Sequence, residues 1–323
     1  MLTLKLYDDI RLSLRPLSQR LIAELFLRLD YRRVKISIEG LERLPAAPVI
    51  FAMNHTDNFN YWPFQYAMHR ALRRYTATWV KGKNYEHPLV SRFMQVTNNI
   101  PLASRGYLIT RDCLNTVGRR PSEQEYRALR RAIETGEAAG EEAPHELDNR
   151  ARDMLGRRFE PAAERYGQAM GALFSEMMRR FVALNRRAFD IGLDLLVFPQ
   201  GTRSVRLSRG HIGLAQMALH LGATIVPVGC SGSDRVYPGR SFRASPGRII
   251  YRVGEPFDPS CWDELAPGGC DAPFQPETEA RGRDGYQAIV DRVMERINTL
   301  VDEPYRFSDD RESDGTQGTA RFV

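Results

Sequence analysis

The chain has 323 residues, 42% of them hydrophobic, and a formal net charge of +6. Its length and apolar content fit one large or two ordinary domains with a substantial core. The basic balance favours anionic partners, whether lipid headgroups, acyl carriers or nucleic acid. Four cysteines, Cys113, Cys230, Cys261 and Cys270, form no Cys-x-x-Cys pair and no cluster with zinc spacing. That excludes a zinc module and fits a reduced, cytosolic chain.

The first fifteen residues mix charges with apolar side chains and offer no small-residue cleavage site, so they do not read as a signal peptide. Residues 14–33 read as the first helix. Leu14, Leu17, Leu21, Leu25 and Leu29 recur at helical spacing with Ile22 beside them, flanked by Arg11, Arg15, Arg20, Arg28, Arg32 and Arg33. A basic amphipathic helix of this kind lies in a membrane interface or packs on the protein body, and periodicity does not separate the two.

Residues 34–39 alternate as a strand and close at Gly40. Residues 48–53 are a continuous apolar run, as in a strand buried on both faces. Asn54 and His55 follow directly, which puts His55 at a strand's C-terminal end, where open α/β sheets place ligands. Residues 61–74 read as a helix, 75–80 as a strand ended by Lys81, 92–96 as a short helix, and 100–102 as a short strand leading to Arg105.

The polar stretch 106–190 reads as helical. Within it Ser122 caps a helix to Thr135, with Glu125 at the capping-box position. A Gly/Ala/Glu-rich linker (136–149) precedes a longer helix over 161–189. A strand returns at 190–198. The uncharged stretch 211–233 holds Gln216, His220 and Pro227, so it reads as a helix (212–221) and a buried strand (224–228) rather than a membrane span. Residues 248–253 form the final strand, 254–285 a Pro/Gly-rich loop, and 285–301 a last helix.

Strands alternating with helices imply an α/β fold, a central mostly parallel sheet flanked by helices, with an N-terminal amphipathic helix and a helical insertion. The expected division is 1–33 as the helical segment, 34–303 as the α/β domain carrying insertion 106–190, and 304–323 as a disordered tail.

The densest block is Phe198-Pro199-Gln200-Gly201-Thr202-Arg203-Ser204, after the apolar run Leu195-Leu196-Val197. A strand ending in Pro-x-Gly-Thr-Arg-Ser gathers backbone amides, a hydroxyl and a guanidinium at one point, a grouping suited to phosphate. Before it come Asn54-His55, Lys81 and Ile100-Pro101-Leu102-Ala103-Ser104-Arg105; after it comes Ile225-Val226-Pro227-Val228. In order and spacing these blocks resemble the glycerolipid acyltransferase family, which includes lysophosphatidic acid and glycerol-3-phosphate acyltransferases, over roughly residues 35–260.

The resemblance implies transfer of a fatty acyl group from acyl-CoA or acyl carrier protein to the hydroxyl of a lysophospholipid or glycerol phosphate. His55 would be the base. Lys81, Arg105, Gly201, Thr202, Arg203 and Ser204, with Gln200, would hold the acceptor. No metal and no cofactor beyond the acyl co-substrate is implied. The expected location is cytoplasmic, peripheral on the inner face of the membrane, with no nucleic-acid partner.

Two positions depart from the family pattern. The Asp of the family's His-x4-Asp motif would fall at residue 60, which here is Asn60, and the Glu of the third block is Gln200. An amide can orient an imidazole but cannot neutralise the imidazolium. The same Asp-to-Asn exchange in a serine protease lowers turnover about 10⁴-fold. Asp57, two residues after His55, is the candidate replacement carboxylate. The alternative function is a catalytically impaired lipid-binding relative. Gly229-Cys230-Ser231-Gly232-Ser233 resembles a nucleophile elbow only superficially, since it lacks Gly-x-Ser-x-Gly spacing. A nucleic-acid role rests on charge alone.

Overall fold

The computed structural model of the chain describes residues 1–239 and 241–308. Among the described residues nine strands are formed: β1 (Val34–Glu39), β2 (Ile50–Met53), β3 (Thr76–Lys81), β4 (Asn99–Leu102), β5 (Arg152–Met154), β6 (Arg157–Phe159), β7 (Asp194–Val197), β8 (Ile225–Ser231) and β9 (Gly247–Val253). The chain divides into two compact units. One comprises Met1–Arg11 and Val80–Leu184, the other Leu12–Trp79 and Asn185 onward. These boundaries differ from the expected ones at residue 33 and at 106–190. Residues 1–11 fall in the other unit from the leucine-rich stretch 14–33, and the first unit's longer segment begins within β3.

In the second unit the strand order is β1-β9-β8-β2-β7-β3. Every pair in it is parallel except β8 with β9. This is the expected mostly parallel α/β sheet. β2, β7 and β8 are buried at every position, as continuous apolar runs in a sheet covered on both faces require.

On one face Val226, Val228 and Cys230 of β8 join Phe51, Met53 and Leu196 in a cluster with Phe64 and Met68 of helix Tyr61–Leu72. The Phe51 and Phe64 rings meet edge to face at 5.2 Å. On the other face Gly229, which alternates with those residues along β8, leaves room for helix Pro276–Leu300. A β-carbon on Gly229 would lie 2.6 Å from that of Leu300. That helix starts nine residues before the expected 285. It tolerates Gly285 in its interior because the Leu265 carbonyl would come within 2.0 Å of a β-carbon there.

The leucine-rich helix runs Leu17–Leu21, Ile22–Leu27 and Arg28–Asp30, its middle part a π-helix. Leu14 precedes it. The inward side is Ala23 and Leu27, with Ile22 and Phe26 packed against the same core cluster. Leu17, Leu21, Leu25 and Leu29 face outward. Of the expected C-terminal tail, 304–308 is described. Tyr305 is buried and its hydroxyl donates to Asp234 Oδ1 at 2.6 Å, so the ordered body extends past 303. Residues 309–323 lie outside the described residues.

The first unit is largely helical, and the Ser122–Glu125 capping box forms as expected. Its one surprise is the hairpin β5–β6, within the stretch expected to be helical. Leu155 (φ 56°) and Gly156 (φ 99°) make its two-residue turn, the geometry of a type I′ hairpin. Arg152 grips buried Asp112 with two bonds of 2.9 and 2.6 Å and lies 4.7 Å over the Phe159 ring. A β-carbon on Gly167 would meet the Ala132 carbonyl at 2.0 Å, which explains a glycine near the start of helix Tyr166–Asp190. Among the described residues no helix is long and apolar enough to cross a membrane.

At the N-terminal edge of β7, the buried Asp194 carboxylate accepts from Val49 N–H at 3.0 Å and from Arg74 Nε at 2.8 Å, with Arg74 Nη2 on its other bond. Arg74 also donates to the Pro45 carbonyl at 2.7 Å. Removing one partner of such a pair strands a buried charge. Arg74→Ala is therefore expected to cost about 3–5 kcal/mol in urea unfolding. A loss under about 1 kcal/mol, the range of exposed pairs, would show the pair to be peripheral to stability.

Candidate functional site

β2 and β7 are neighbours in parallel register, Ala52 opposite Val197. The segments that leave their C-terminal ends, Asn54–Asn60 and Phe198–Ser208, therefore emerge side by side. Asn54 secures the first of these to the next strand. Its Nδ2 donates to the Cys230 carbonyl at 2.9 Å, and its Oδ1 accepts from Cys230 N–H at 2.7 Å. Asn54 is thus a site residue that the sequence reading passed over, although it stood in the quoted motif.

His55 is clamped by its backbone. Its N–H donates to Gln200 Oε1 at 3.1 Å, and its carbonyl accepts from Ser204 N–H at 2.9 Å. Its ring stacks on Phe198, with centroids 4.1 Å apart and planes 19° from parallel. Phe198 is the second contributor the sequence reading left without a role.

The imidazole's Nδ1 lies 3.2 Å from Asn60 Oδ1. Asn60 is fully buried, and its Nδ2 donates to the Asn54 carbonyl at 2.8 Å. That second bond fixes which way the amide points, so its oxygen must face the ring. Nδ1 then carries the proton and Nε2 the lone pair, the tautomer a base needs.

Asp57 takes another position. Its oxygens accept from Thr56 Oγ1 at 2.9 Å and Phe59 N–H at 2.8 Å, while it is Asn60 that meets the imidazole. Burial raises its carboxyl to about 6, opposed by the Phe59 amide and by the nearby Ser233 and Thr56 hydroxyls. The Ser233 hydroxyl influences it without a hydrogen bond of ordinary geometry.

Gln200, also fully buried, points its Nε2 at Ser204 Oγ (3.2 Å), Ser208 Oγ (3.3 Å) and the Arg206 carbonyl (3.4 Å). The Ser204 hydroxyl in turn donates to the Arg206 carbonyl. Gln200 and Ser204 were expected to touch substrate. Their polar atoms instead hold the 198–208 loop together from inside.

Gly201 sits at φ +65°, and a β-carbon there would come within 2.9 Å of the His211 ring. Only glycine fits such a position without strain. Thr202 is half-buried and Arg203 exposed. No hydrogen bond or ion pair holds the Arg203 guanidinium among the described residues. The loop thus carries two exposed arginines, Arg203 and Arg206, close in sequence to Ser204, whose amide clamps the histidine.

Lys81 and Arg105 belong to the first unit and are described there. Lys81 ends β3 and is exposed. Arg105 opens helix Arg105–Thr116 behind its Ser104 cap, its guanidinium 4.5 Å over the Phe174 ring. The grouping of His55, Asn60 and Arg203 is made by the second unit alone. The superficial elbow at 229–233 is no nucleophile site: Ser231 is buried in β8 and accepts from Asp302 N–H, and Ser233 is fully buried. Among the described residues no cluster of three or more His, Cys, Asp or Glu side chains is placed to hold a metal ion.

No protein-family model and no curated protein matches the chain. Among solved structures it is similar to the 1-acyl-sn-glycerophosphate (LPA) acyltransferase PlsC from Thermotoga maritima, at 17% identity and a TM-score of 0.40. That match covers 84% of this chain and 79% of the other. A likeness of that distance bears on no residue of the site.

Two outcomes follow from this geometry. Gln200→Glu removes every donor facing Ser204, Ser208 and the Arg206 carbonyl and sets a carboxylate against that carbonyl. It is expected to destabilise by about 1–3 kcal/mol or more, measured by chemical unfolding. Stability equal to wild type would show that the amide's donors are dispensable.

The second concerns pH. A carboxyl raised to about 6 in the folded state, from an unfolded value near 3.8, favours folding only while protonated. Its contribution is full below about pH 4 and is lost as pH rises through 6. Wild type should therefore lose stability relative to Asp57→Asn across that window, by on the order of 3 kcal/mol. A stability difference that stays flat from pH 4 to 7.5 would contradict the burial argument.

Proposed function

We propose that the chain is an O-acyltransferase. It moves a fatty acyl group from acyl-CoA or acyl carrier protein to the hydroxyl of a lysophospholipid or glycerol phosphate, working peripherally at the cytoplasmic face of a membrane. One observation carries the reading: His55 is fixed by its backbone, with its ring oriented by Asn60, beside the turn that presents Arg203.

His55 Nε2 takes the proton of the acceptor hydroxyl as its oxygen attacks the thioester carbonyl. The tetrahedral species collapses with cleavage of the C–S bond, and the leaving thiolate takes the proton back from the imidazolium. The ester and the thiol are the products, and no covalent enzyme intermediate is required. Arg203 pairs with the acceptor's phosphate, and Gly201 lets the backbone come close. Lys81 and Arg105, named by the family resemblance alone, belong to the other unit and are given no part in this step.

A second reading is kept because of Asn60. A neutral amide orients the ring but leaves the imidazolium without a counter-charge, so the chain would bind lipid and turn it over slowly or not at all.

The test is acyl transfer to lysophosphatidic acid by the purified protein. His55→Ala is expected to lower kcat about 10²–10⁴-fold. Arg203→Ala should raise KM for the phosphorylated acceptor about tenfold while leaving KM for the acyl donor unchanged. Equal rates for wild type and His55→Ala would remove the mechanism. Lipid binding without turnover would establish the second reading.

A further inference from the structure

Phe198 is the first residue past β7 and precedes Pro199. A residue before proline is confined to extended backbone, so the chain cannot turn helical at once. The Phe198 side chain packs against the core cluster that holds Phe51, Met53 and Val228. The His55 imidazole stacks on its ring, with centroids 4.1 Å apart and planes 19° from parallel. Two neutral aromatic rings avoid that arrangement. Both faces are negative, so such rings prefer offset or edge-on contacts with centroids about 4.5–7 Å apart. Other pairs in the same unit keep to this. Phe51 meets Phe64 at 5.2 Å and 77°, Phe64 meets Tyr251 at 5.3 Å and 61°, and His69 meets Tyr75 at 5.1 Å and 40°. A flat contact at 4.1 Å suits a ring that becomes positively charged, because a cation is drawn to an aromatic face.

The chemistry asks for such a contact. Asn60 reaches the imidazole at its edge, with Oδ1 3.2 Å from Nδ1. That contact is a dipole, which orients the ring and carries no net charge. Phe198 covers a face of the same ring. On the two segments that meet here, the other charged groups are Asp57, Arg203 and Arg206. Asp57 gives its oxygens to Thr56 and Phe59. Arg203 and Arg206 carry the same sign as an imidazolium.

We propose that Phe198 is a positioning residue whose ring face stabilises the imidazolium of His55. When Nε2 takes the proton of the acceptor hydroxyl, the charge spreads over the imidazole and meets the phenyl quadrupole at contact distance. The cation is held there until its proton passes to the leaving thiolate. Asn60 sets the tautomer and Phe198 favours the charged state. The two together divide what a single aspartate does beside a catalytic histidine. The proposal deepens the acyltransferase reading and rests on it for the source of the proton. The preference of the Phe198 face for a protonated His55 is independent of that reading.

The experiment is an NMR titration of the His55 Cε1–H resonance in the full chain, assigned by its loss in His55→Ala. Every titration is run in an Asp57→Asn background, so that a carboxyl raised to about 6 does not enter the curve. Phe198→Leu keeps an apolar side chain and removes the π face. It should lower the His55 midpoint by about 0.5–1 pH unit. A chain carrying pentafluorophenylalanine at position 198 keeps the ring's shape and reverses its quadrupole, and should lower the midpoint at least as far. This second chain decides the matter where Phe198→Leu fails to fold. In acyl transfer, the acid limb of the kcat/KM profile should move to lower pH by the same amount, because the neutral base then persists in more acid solution. A midpoint that pentafluorophenylalanine leaves unmoved overturns the proposal, even where Phe198→Leu shifts it, since packing would account for that shift. Lowered midpoints in a protein that transfers no acyl group uphold the role of Phe198 and count against the acyltransferase reading alone.

Discussion

His55 is held by its main chain before it is held by its ring. Its N–H and carbonyl are both taken by the neighbouring segment, through Gln200 Oε1 and the Ser204 amide. This clamp exists only because β2 and β7 lie side by side in parallel. The same Gln200 side chain gathers Ser204, Ser208 and the Arg206 carbonyl. The conformation of the 198–208 loop, and with it the position from which Arg203 emerges, therefore rests on the bonds that fix the histidine. Neither half of the site can shift alone.

The two amides make sense within this frame. Asn60 and Gln200 each use an oxygen toward His55 and an NH₂ group toward a backbone carbonyl. A carboxylate could supply the first contact and would oppose the second. Both positions therefore suit a neutral amide. The consequence is chemical. The imidazole keeps its tautomer and orientation, while the charge it would acquire as a base meets a dipole instead of a carboxylate.

Much of this was legible from residue types. The buried strands read as apolar runs because a sheet covered on both faces leaves no polar side, and the Ser122 capping box stands in plain spacing. The hairpin β5–β6 escaped because its strands are three residues long and two-thirds charged, so its signal is the Leu155–Gly156 turn alone. The roles of Gln200 and Ser204 escaped for a different reason. A motif names residues near a substrate without saying which point toward it, and direction here is set by partners at Arg206 and Ser208 that no spacing rule includes. Asp57 was credible beside His55 by sequence distance, but the turn gives its oxygens to Thr56 and Phe59.

Direction is also what periodicity left open in the first helix. The leucine row and the row formed by Ala23 and Leu27 are both apolar, and either could have faced the core. Polar anchors decide between them. Glu24 meets His69 at 3.1 Å and Arg73 at 3.3 Å, Asp30 accepts from the Ala244 amide at 2.9 Å, and the Tyr31 hydroxyl accepts from Tyr237 at 2.7 Å. Rotating the helix to bury the leucines would break all of these and pull Leu27 and Phe26 from the cluster they complete. The exposure of Leu17, Leu21, Leu25 and Leu29 is thus not loose packing that a small adjustment could cure. It follows from an inner face already fully engaged.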